Sequence, residues 1–334
     1  MKHITPRSYL CFRASEPIHA DGALNDRAWA AAAWSDPFVD IIGEGAARPR
    51  FRTRMKMLWD DEYLYIAAEM EEPHVWGTIT QRDAVIFQDN DFEIFIDPDA
   101  DSHRYAEFEI NALNTLWDLF LERPYKDGVS ARNEWDLPGI LHGVQVQGSL
   151  NNPKDRDRGW TVEFALPWKS FSDITTQALP PNEGDQWRIN FSRVEWKVRV
   201  EDGQYVKVPN RREDNWVWSP QGLVDMHRPE KWGYVQFTSF APGKVRLVPD
   251  PSAYGRSYLH QAYYAQREFK SHYKRYAFTI DELGLDKEFN PRHLAWPLTL
   301  QHTADGYRAT AEIRLPNGES QKWFIRQDGK VWSE

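Results

Sequence analysis

Carboxylate side chains are concentrated in the stretch DNDFEIFIDPDADSHRYAEFEINALNTLWD, residues 89–118. Three kinds of chemistry use acids in this way: a catalytic pair, a hard-cation site, and the polar face and turns of a sheet. Glu107 and Glu109 share one face of a predicted strand at a separation of about 6.5–7 Å. This value lies between the spacings of retaining and inverting glycosidases, so a catalytic pair is one hypothesis. The alternative is a polar outer face, or hydrogen bonds to the adjoining loops.

The turn DPDAD, residues 97–101, offers three aspartates at alternate positions. Asp97, Asp99 and Asp101 supply the hard oxygen atoms that calcium prefers. The turn lacks the central glycine and distal glutamate of an EF-hand loop, and Asp and Pro are also ordinary turn residues. Structural calcium at Asp97, Asp99 and Asp101 is therefore one hypothesis, and a simple turn is the other.

Most of the elements that position these residues are predicted strands. Alternating apolar and polar residues between turn signals predict strands at 53–59, 62–70, 92–97, 104–112, 115–121, 143–149, 160–167, 187–196 and 232–238. Short helical signals occur at 25–32 and 167–174. Many strands separated by turns favour a mainly β chain built as an antiparallel β-sandwich.

The pattern changes after about residue 250. Apolar and aromatic residues recur at helical spacing over 256–276, and Thr279 and Glu282 form a capping-box pattern closed by Gly284. Three strands follow in WPLTLQH, GYRATAEI and QKWFIRQ. We therefore expect a β-sandwich over 1–242 and a small α+β extension over 250–334, a helix with a three-stranded antiparallel sheet.

The composition restricts the classes of partner. A net charge of −9 argues against nucleic acid or an anionic membrane as the main partner, since both attract basic surfaces. No apolar run has the length of a membrane-spanning helix or of a signal peptide. The sequence as it stands predicts a cytoplasmic protein, or a secreted or periplasmic one whose signal was removed. Cys11 is the single cysteine, so an intrachain disulfide and a thiolate metal cluster are excluded.

Tryptophan is unusually frequent, with 16 residues, which is more than a core ordinarily needs. We expect some of these rings on a binding surface, where the flat ring and its N–H are both used. Trp76 follows a predicted strand in a polar loop, and Trp216 and Trp218 lie in NWVW, close to another loop.

Several segments resemble, in order and spacing, the family 9 carbohydrate-binding modules and their family-9-like relatives over residues 15–238. They are PIHADGALNDRAWAAAAW, DDEYLYIAAEMEEP, NDFEIFIDPDADSHRYAEFEINA and NWVWSPQGLVDMHRPEKWGYVQF. The resemblance implies a DOMON-type β-sandwich that binds sugar without catalysis, often with structural calcium. Such modules commonly accompany xylanases and other enzymes of polysaccharide catabolism. The implied partner is a mono- or oligosaccharide or the end of a polysaccharide chain.

In these modules two tryptophans hold a terminal sugar between them, and an asparagine three residues before the second one contributes hydrogen bonds. Asn215 and Trp218 have this spacing, with Trp76 as the other ring and Trp216 as the substitute for Trp218. The remaining candidates for binding sugar hydroxyls are Arg82, Asn90 and Glu93. The long, charged loops at 122–142 and 197–214 depart from the family and can reshape or block the pocket.

Two other functions stay open at this point. A glycoside hydrolase, xylanase-like, would use acids of 89–118, although nothing in the sequence supplies the raised pKa that one partner needs. A haem-binding DOMON-type domain would use His74 or His227 with the nearby Met70 or Met226, although the sequence has no CxxCH attachment motif.

Overall fold

The computed structural model describes residues 4–285 and 292–334, and the chain forms two compact units. The first unit contains the chain up to residue 99, residues 104–122 and residues 130–247. The second unit contains 100–103, 123–129 and 248–334, so it takes two short segments from the first half of the chain. No helix within the described ranges is long and apolar enough to cross a membrane.

The first unit is built almost entirely of strands, as the alternation predicts. They are β1 Ser8–Arg13, β2 Val39–Asp40, β3 Thr53–Trp59, β4 Tyr63–Glu71, β5 Asp91–Asp97, β6 Tyr105–Asn111, β7 Leu116–Leu121, β8 Leu141–Gln147, β9 Gly159–Pro167, β10 Gln186–Glu195, β11 Val198–Glu201, β12 Gln204–Lys207, β13 Asp214–Val217 and β14 Gly233–Thr238. The predicted helical segments at 25–32 and 167–174 contain 3₁₀ helices, Arg27–Ala31 and Trp168–Asp173. Two further 3₁₀ turns of this unit are Ile86–Gln88 and Pro229–Lys231, and the turn Tyr125–Asp127 belongs to the second unit.

One curled, mainly antiparallel sheet contains all of these strands except β11 and β12. Their order is β7-β6-β5-β10-β14-β1-β3-β4-β9-β8, and β13 also pairs with β10 and β2 with β13. Only β1 departs from this pattern among the described pairs, because it lies parallel to both β14 and β3. The two halves of the sheet enclose one core, in which Phe92 and Phe108 from one half join Met57, Ile66 and Phe164 from the other. The sandwich-like, mainly β fold is confirmed.

The face of β5, β6 and β7 that points away from this core is also covered. A second apolar cluster there includes Phe95, Tyr105 and Trp117, packed with Met226 and Trp232 from a distant part of the chain. Glu107 and Glu109 lie on this face and are buried. The polar outer face is therefore covered, and Glu109 accepts a hydrogen bond from the Phe87 amide of an adjoining loop at 2.9 Å.

The charged segment at 197–214 is not wholly a loop, since it contains the hairpin of β11 and β12. Asp202 and Gly203 form its two-residue turn with φ of 48° and 77°. Positive φ at both positions is the geometry in which Asp-Gly turns match the twist of a hairpin. The sequence analysis described this segment as a loop, although its Asp-Gly pair is the local signal of such a hairpin.

The second unit consists of α1 Ala253–Tyr273, α2 Ile280–Leu283 and a four-stranded antiparallel sheet, β15 Leu294–Thr303, β16 Gly306–Arg314, β17 Ser320–Arg326 and β18 Val331–Ser333. The helix buries Leu259 and Tyr263 against the sheet. The capping box of Thr279 and Glu282 is present, and Gly284 ends α2 in the left-handed conformation. The sequence indicated three strands, and the short β18 is the fourth.

Candidate functional site

The three candidate clamp tryptophans are buried. Trp76 is 4% exposed and Trp218 is 2% exposed. Trp216 and Trp218 are two residues apart, so both point to the main core, where Trp218 packs on Phe191. Gly233 makes room for this ring, because a Cβ there would lie 2.2 Å from the Trp218 indole. None of the three rings presents an open platform in this structure.

Trp76 lies in an extended segment held by side chains instead of a neighbouring strand. The amide of Val75 donates to Asp157 Oδ2 at 2.8 Å, and that of Ile79 donates to Asp89 Oδ2 at 2.9 Å. The indole Nε1 of Trp76 is buried and has no hydrogen-bond partner. An unpaired buried donor costs about 1–3 kcal/mol, so this N–H is available to donate a hydrogen bond to a ligand oxygen.

Beside this segment lies a buried group of charged and amide side chains, Glu72, Asn90, Arg193 and Glu195, which we call the Arg193 network. Arg193 is 0% exposed, and one of its terminal nitrogens lies 2.8 Å from both Glu72 Oε2 and Glu195 Oε2. Asn90 Nδ2 donates to the same two oxygens at 3.2 and 3.0 Å. The guanidinium lies 5.2 Å from the centre of the Trp216 ring. The structure thus brings two predicted residues, Asn90 and Trp216, to one place.

Arg50 extends the network toward the surface. It pairs with Glu195 at 3.3 Å and lies 5.2 Å from the Trp216 ring and 5.7 Å from the Phe51 ring. Burial raises the pKa of Glu195 to about 8, although Arg193 opposes this shift. Both guanidinium groups are therefore within cation–π distance of the Trp216 ring.

Glu72, Arg193 and Glu195 were not among the residues selected from the sequence. The available signal was position on the strand, since Trp187, Ile189 and Phe191 alternate toward the main core and Arg193 and Glu195 continue the same face. Charged residues at core positions of a strand are rarely buried without a partner. Such residues are therefore candidates for a functional network.

A surface cleft of about 420 Å³ adjoins the Arg193 network. Glu72 belongs to both, and Phe51, which also lines the cleft, lies 5.9 Å from the Arg193 guanidinium. This size lies within the range of small-molecule sites. Arg52 forms ion pairs with Glu69 at 3.1 Å and Glu71 at 3.2 Å on its rim. The other lining residues are Met70, Pro73, Gln147, Arg156, Asp157, Arg158, Trp160 and Thr161. The cleft therefore combines charged and amide groups with a few apolar surfaces.

The other predicted sugar-binding residues lie elsewhere. Arg82 forms ion pairs with Asp118 and Asp136, the latter at 2.6 Å. Asn215 is paired with Val194 in the sheet and is half-buried. Glu93 is buried on the face of β5 that points away from the main core. The predicted set is thus divided among separate places in the first unit, and its role in sugar binding stays a prediction.

Glu93 lies beside the alternative catalytic pair. It is directly opposite Glu109, and Glu107 is opposite Phe95. Burial raises the pKa of Glu93 to about 7 and raises the pKa of Glu107 and Glu109 well above the usual range. A glycosidase pair instead needs one carboxyl protonated and the other ionised. A hydrogen bond with Glu109 lowers the pKa of Glu107, although burial keeps the pKa of both carboxyls raised, and the catalytic pair stays a prediction.

The calcium hypothesis stays a prediction. Asp97 ends β5 and is buried, whereas Asp99 is half-buried in the turn that follows. Asp101 belongs to the second unit, where it accepts a hydrogen bond from the amide of His103 at 2.7 Å and pairs with Lys330 at 2.8 Å.

The haem hypothesis also stays a prediction. Nδ1 of His74 lies 3.2 Å from the Tyr205 hydroxyl, and Nδ1 of His227 lies 2.9 Å from the Tyr105 hydroxyl. Met70 and Met226 are both buried, the first in the main core.

Comparison with known proteins assigns the chain to a family. The family model described as carbohydrate family 9 binding domain-like matches residues 20–235, about two-thirds of the chain. The chain belongs to this family. The family resemblance drawn from the sequence segments is thereby confirmed. None of the curated proteins compared with the chain is significantly similar to it.

Three solved structures are similar to this chain, and the first of them shares its fold. A protein from Bacteroides uniformis, to which carbohydrate binding is ascribed, is 16% identical to this chain, and the TM-score is 0.52. The match covers 70% of this chain and 100% of that chain. Two structures of a family 9 module from Caldicellulosiruptor kristjanssonii were solved with cellotriose and with glucose. Their identities are 15% and 14%, and their TM-scores are 0.44 and 0.43. They cover 73% and 71% of this chain, and 100% of each module is matched.

Proposed function

We propose that the first unit binds carbohydrate without hydrolysing it, taking a mono- or oligosaccharide or the end of a polysaccharide chain. The observation that carries this proposal is the 420 Å³ cleft, which is continuous with the Arg193 network through Phe51 and Glu72. Sugar hydroxyls need charged or amide partners, which Arg158 and Gln147 supply at the rim, while the C–H faces of a sugar need apolar surface such as Phe51. Family membership makes carbohydrate the first ligand class to test.

An aromatic clamp is the finer part of the proposal. Trp76 is its first ring, because its unpaired Nε1 can donate to a sugar hydroxyl. Trp218 is the second ring by its spacing from Asn215, and Trp216 is the alternative ring within the Arg193 network. Since Trp76 and Trp218 are buried, the segment that carries Trp76 must move to admit a sugar between them. Through such binding, the protein would support polysaccharide degradation by holding an enzyme partner on its substrate.

The test begins with a glycan array and continues by calorimetry on any sugar bound, with glucose, cellotriose and xylo-oligosaccharides as the first probes. Arg158→Ala and Gln147→Ala test the cleft, and Arg199→Ala, an exposed arginine that pairs with Glu201, is the matched control. A lost hydrogen bond to a charged group contributes about 1.5–3 kcal/mol. Arg158→Ala should therefore weaken binding by about tenfold or more, and Arg199→Ala should leave it unchanged.

Trp76→Ala tests the clamp. Stacking on an aromatic ring contributes about 1–3 kcal/mol for a nucleic-acid base, and a sugar should use the low half of that range. The expected loss is about tenfold in affinity, with a smaller change in tryptophan fluorescence on sugar addition. Trp218→Phe is the second clamp variant, because Trp218→Ala would leave a core cavity and destabilise the fold by about 3–5 kcal/mol.

Three outcomes would contradict parts of the proposal. If no sugar on the array binds, carbohydrate binding is wrong. If sugar binds equally to the Arg158, Gln147 and Trp76 variants, the site is elsewhere. Hydrolysis of chromogenic glycosides that Glu107→Gln or Glu109→Gln abolishes would replace the proposal with the glycoside hydrolase.

A further inference from the structure

The acids that line the 420 Å³ cleft are already paired, so their charge is compensated within the protein. Glu69 pairs with Arg54 at 2.6 Å and with Arg52 at 3.1 Å. Glu71 pairs with Arg52 at 3.2 Å. Glu72 is held by the arginine of the Arg193 network at 2.8 Å. These carboxylates therefore leave no free negative charge to attract a cationic ligand.

The fourth acid, Asp157, points into the protein and directs its two neighbours outward. Its side chain is buried, where Oδ2 accepts a hydrogen bond from the Val75 amide at 2.8 Å and Oδ1 accepts one from the Ser149 amide at 2.7 Å. Arg156 and Arg158, on either side of it, are both exposed and both line the cleft. The two guanidinium groups are thus presented to the same cleft from one short segment.

The backbone of this segment is fixed on both sides. The amide of Asp157 donates to the Pro73 carbonyl at 3.1 Å, and the amide of Arg158 donates to the Gln147 carbonyl at 2.9 Å. The carbonyl of Arg158 accepts from the Glu72 amide at 3.4 Å. Residues two apart on an extended chain are separated by about 6.5–7 Å, so two long arginine side chains can meet at one ligand group. The segment is therefore a preorganised support for both arginines.

Arg156 and Arg158 differ from the other charged residues of the cleft in having no partner. Among the residues that the structure describes, none forms an ion pair or a hydrogen bond with either guanidinium. A guanidinium has five N–H donors and no acceptor, and its planar fork matches a carboxylate with two parallel hydrogen bonds. Such charge-assisted bonds are about twice as strong as bonds to a neutral hydroxyl. The unpaired charge at this cleft is therefore positive and is suited to a carboxylate.

We infer that the cleft selects a sugar that carries a carboxylate, a uronic acid, over the matching neutral sugar. This inference rests on the proposed carbohydrate binding and names the ligand class of that site. A uronic acid differs from its neutral parent only at C6, where a carboxylate replaces the hydroxymethyl group. Its ring keeps the C–H faces and hydroxyls that Phe51 and Gln147 contact, while Arg156 and Arg158 bind the carboxylate. A doubly charged phosphate suits the cleft less, because four acids also line it.

The first experiment is calorimetry on the full chain with two matched pairs of sugars, glucose with glucuronate and galactose with galacturonate. At least one acidic sugar should bind about tenfold more tightly than its neutral partner. This ratio should fall as the ionic strength is raised from about 0.01 M to about 1 M, because the screening length falls from about 30 Å to about 3 Å. The affinity for the neutral sugar should change little over the same range.

The second experiment measures the same ratio of acidic to neutral affinity in variants. Arg156→Ala should lower the ratio about tenfold. Arg156→Lys retains the charge without the planar fork, so it should keep part of the ratio. Arg314→Ala is the matched control, because it removes an exposed arginine at the end of β16 that does not line the cleft, and it should keep the wild-type ratio. Because Arg156 and Arg314 are exposed, both alanine variants should melt close to wild type.

The results distinguish this inference from the proposed function. If neutral sugars bind and neither uronic acid binds more tightly, the selectivity is wrong and the carbohydrate site stands. If no sugar binds at all, both are wrong. A wild-type ratio in Arg156→Ala would place the carboxylate elsewhere and contradict the inference. Tighter binding of glucose 6-phosphate or glucose 6-sulfate than of glucuronate would also contradict it, because the cleft would then select a different anion.

Discussion

At the scale of single residues, the two buried groups of charge differ in balance. Arg193 lies within the Arg193 network and forms ion pairs with Glu72 and Glu195. No lysine or arginine among the described residues forms an ion pair with the buried acids on the other face of β5 and β6, which are Asp91, Glu93, Glu107 and Glu109. Removing the charge of Arg193 should therefore lower the stability of the fold, whereas removing the charge of one acid on the other face should raise it.

Arg193→Met should destabilise the protein by about 3–5 kcal/mol, because Glu72 and Glu195 would stay buried without their partner. Arg199→Met, at an exposed ion pair, should change stability by no more than about 0.5 kcal/mol. The measurement is urea unfolding followed by circular dichroism. A loss below about 1 kcal/mol for Arg193→Met would show that water or protonation compensates the two acids.

Glu93 predicts a pH dependence of the metal-free protein. Burial raises the pKa of Glu93 from 4.5 to about 7, so the folded state holds a proton that the unfolded state has released. The stability that this proton contributes is fully present below pH 4.5 and is lost as the pH rises through about 7. Glu93→Gln should reduce this fall, and thermal unfolding at a series of pH values measures the difference. Equal slopes in both proteins would contradict the raised pKa.

At the scale of elements, the packing of β14 against the core requires a residue without a side chain, Gly233. Gly233→Ala places a Cβ 2.2 Å from the Trp218 ring and should destabilise the fold by about 1–3 kcal/mol through overpacking. Trp218→Phe should relieve this clash, so a double-mutant cycle should show a coupling of about 0.5–3 kcal/mol. Additive losses in the cycle would mean that the two residues do not compete for the same space.

Most strands of the first unit could be predicted from local alternation, but β1, β2, β11, β12 and β13 were not predicted. Phe92 and Phe108 are recognisable as core residues from the polar residues beside them, and the hairpin turn at Asp202 is a local signal. Burial of Glu107 could not be predicted in this way. It depends on Met226 and Trp232, which reach the same face from a distant part of the chain.

The candidate site was predicted only in part for the same reason. Asn90 and Trp216 were selected by type and spacing, and both contact the Arg193 network. Arg193 itself is recognisable only when the strand's core face is known, because a lone arginine in a strand usually faces water. The clamp tryptophans were expected at loops, yet Trp218 lies in the core because its position continues the face of Trp216.

At the scale of the whole molecule, the main core predicts that the first unit folds alone. Among the residues that the structure describes, none in that core lies beyond Phe237. A chain ending at Leu247 should therefore keep strand-rich circular dichroism and unfold cooperatively on heating. A loss of cooperative unfolding would show that the first unit needs residues 248–334.

The second unit is not continuous in sequence, and this limits how the protein could have been assembled from modules. Asp127, on a short segment between strands of the first unit, accepts hydrogen bonds from Tyr263 at 2.5 Å and from Arg267 at 2.8 Å on α1. A single recombination event that joined a gene for residues 248–334 to another gene would leave these two side chains without Asp127. The C-terminal part therefore has to be inherited together with an insertion carried by the sandwich, and a relative that lacks one should lack the other.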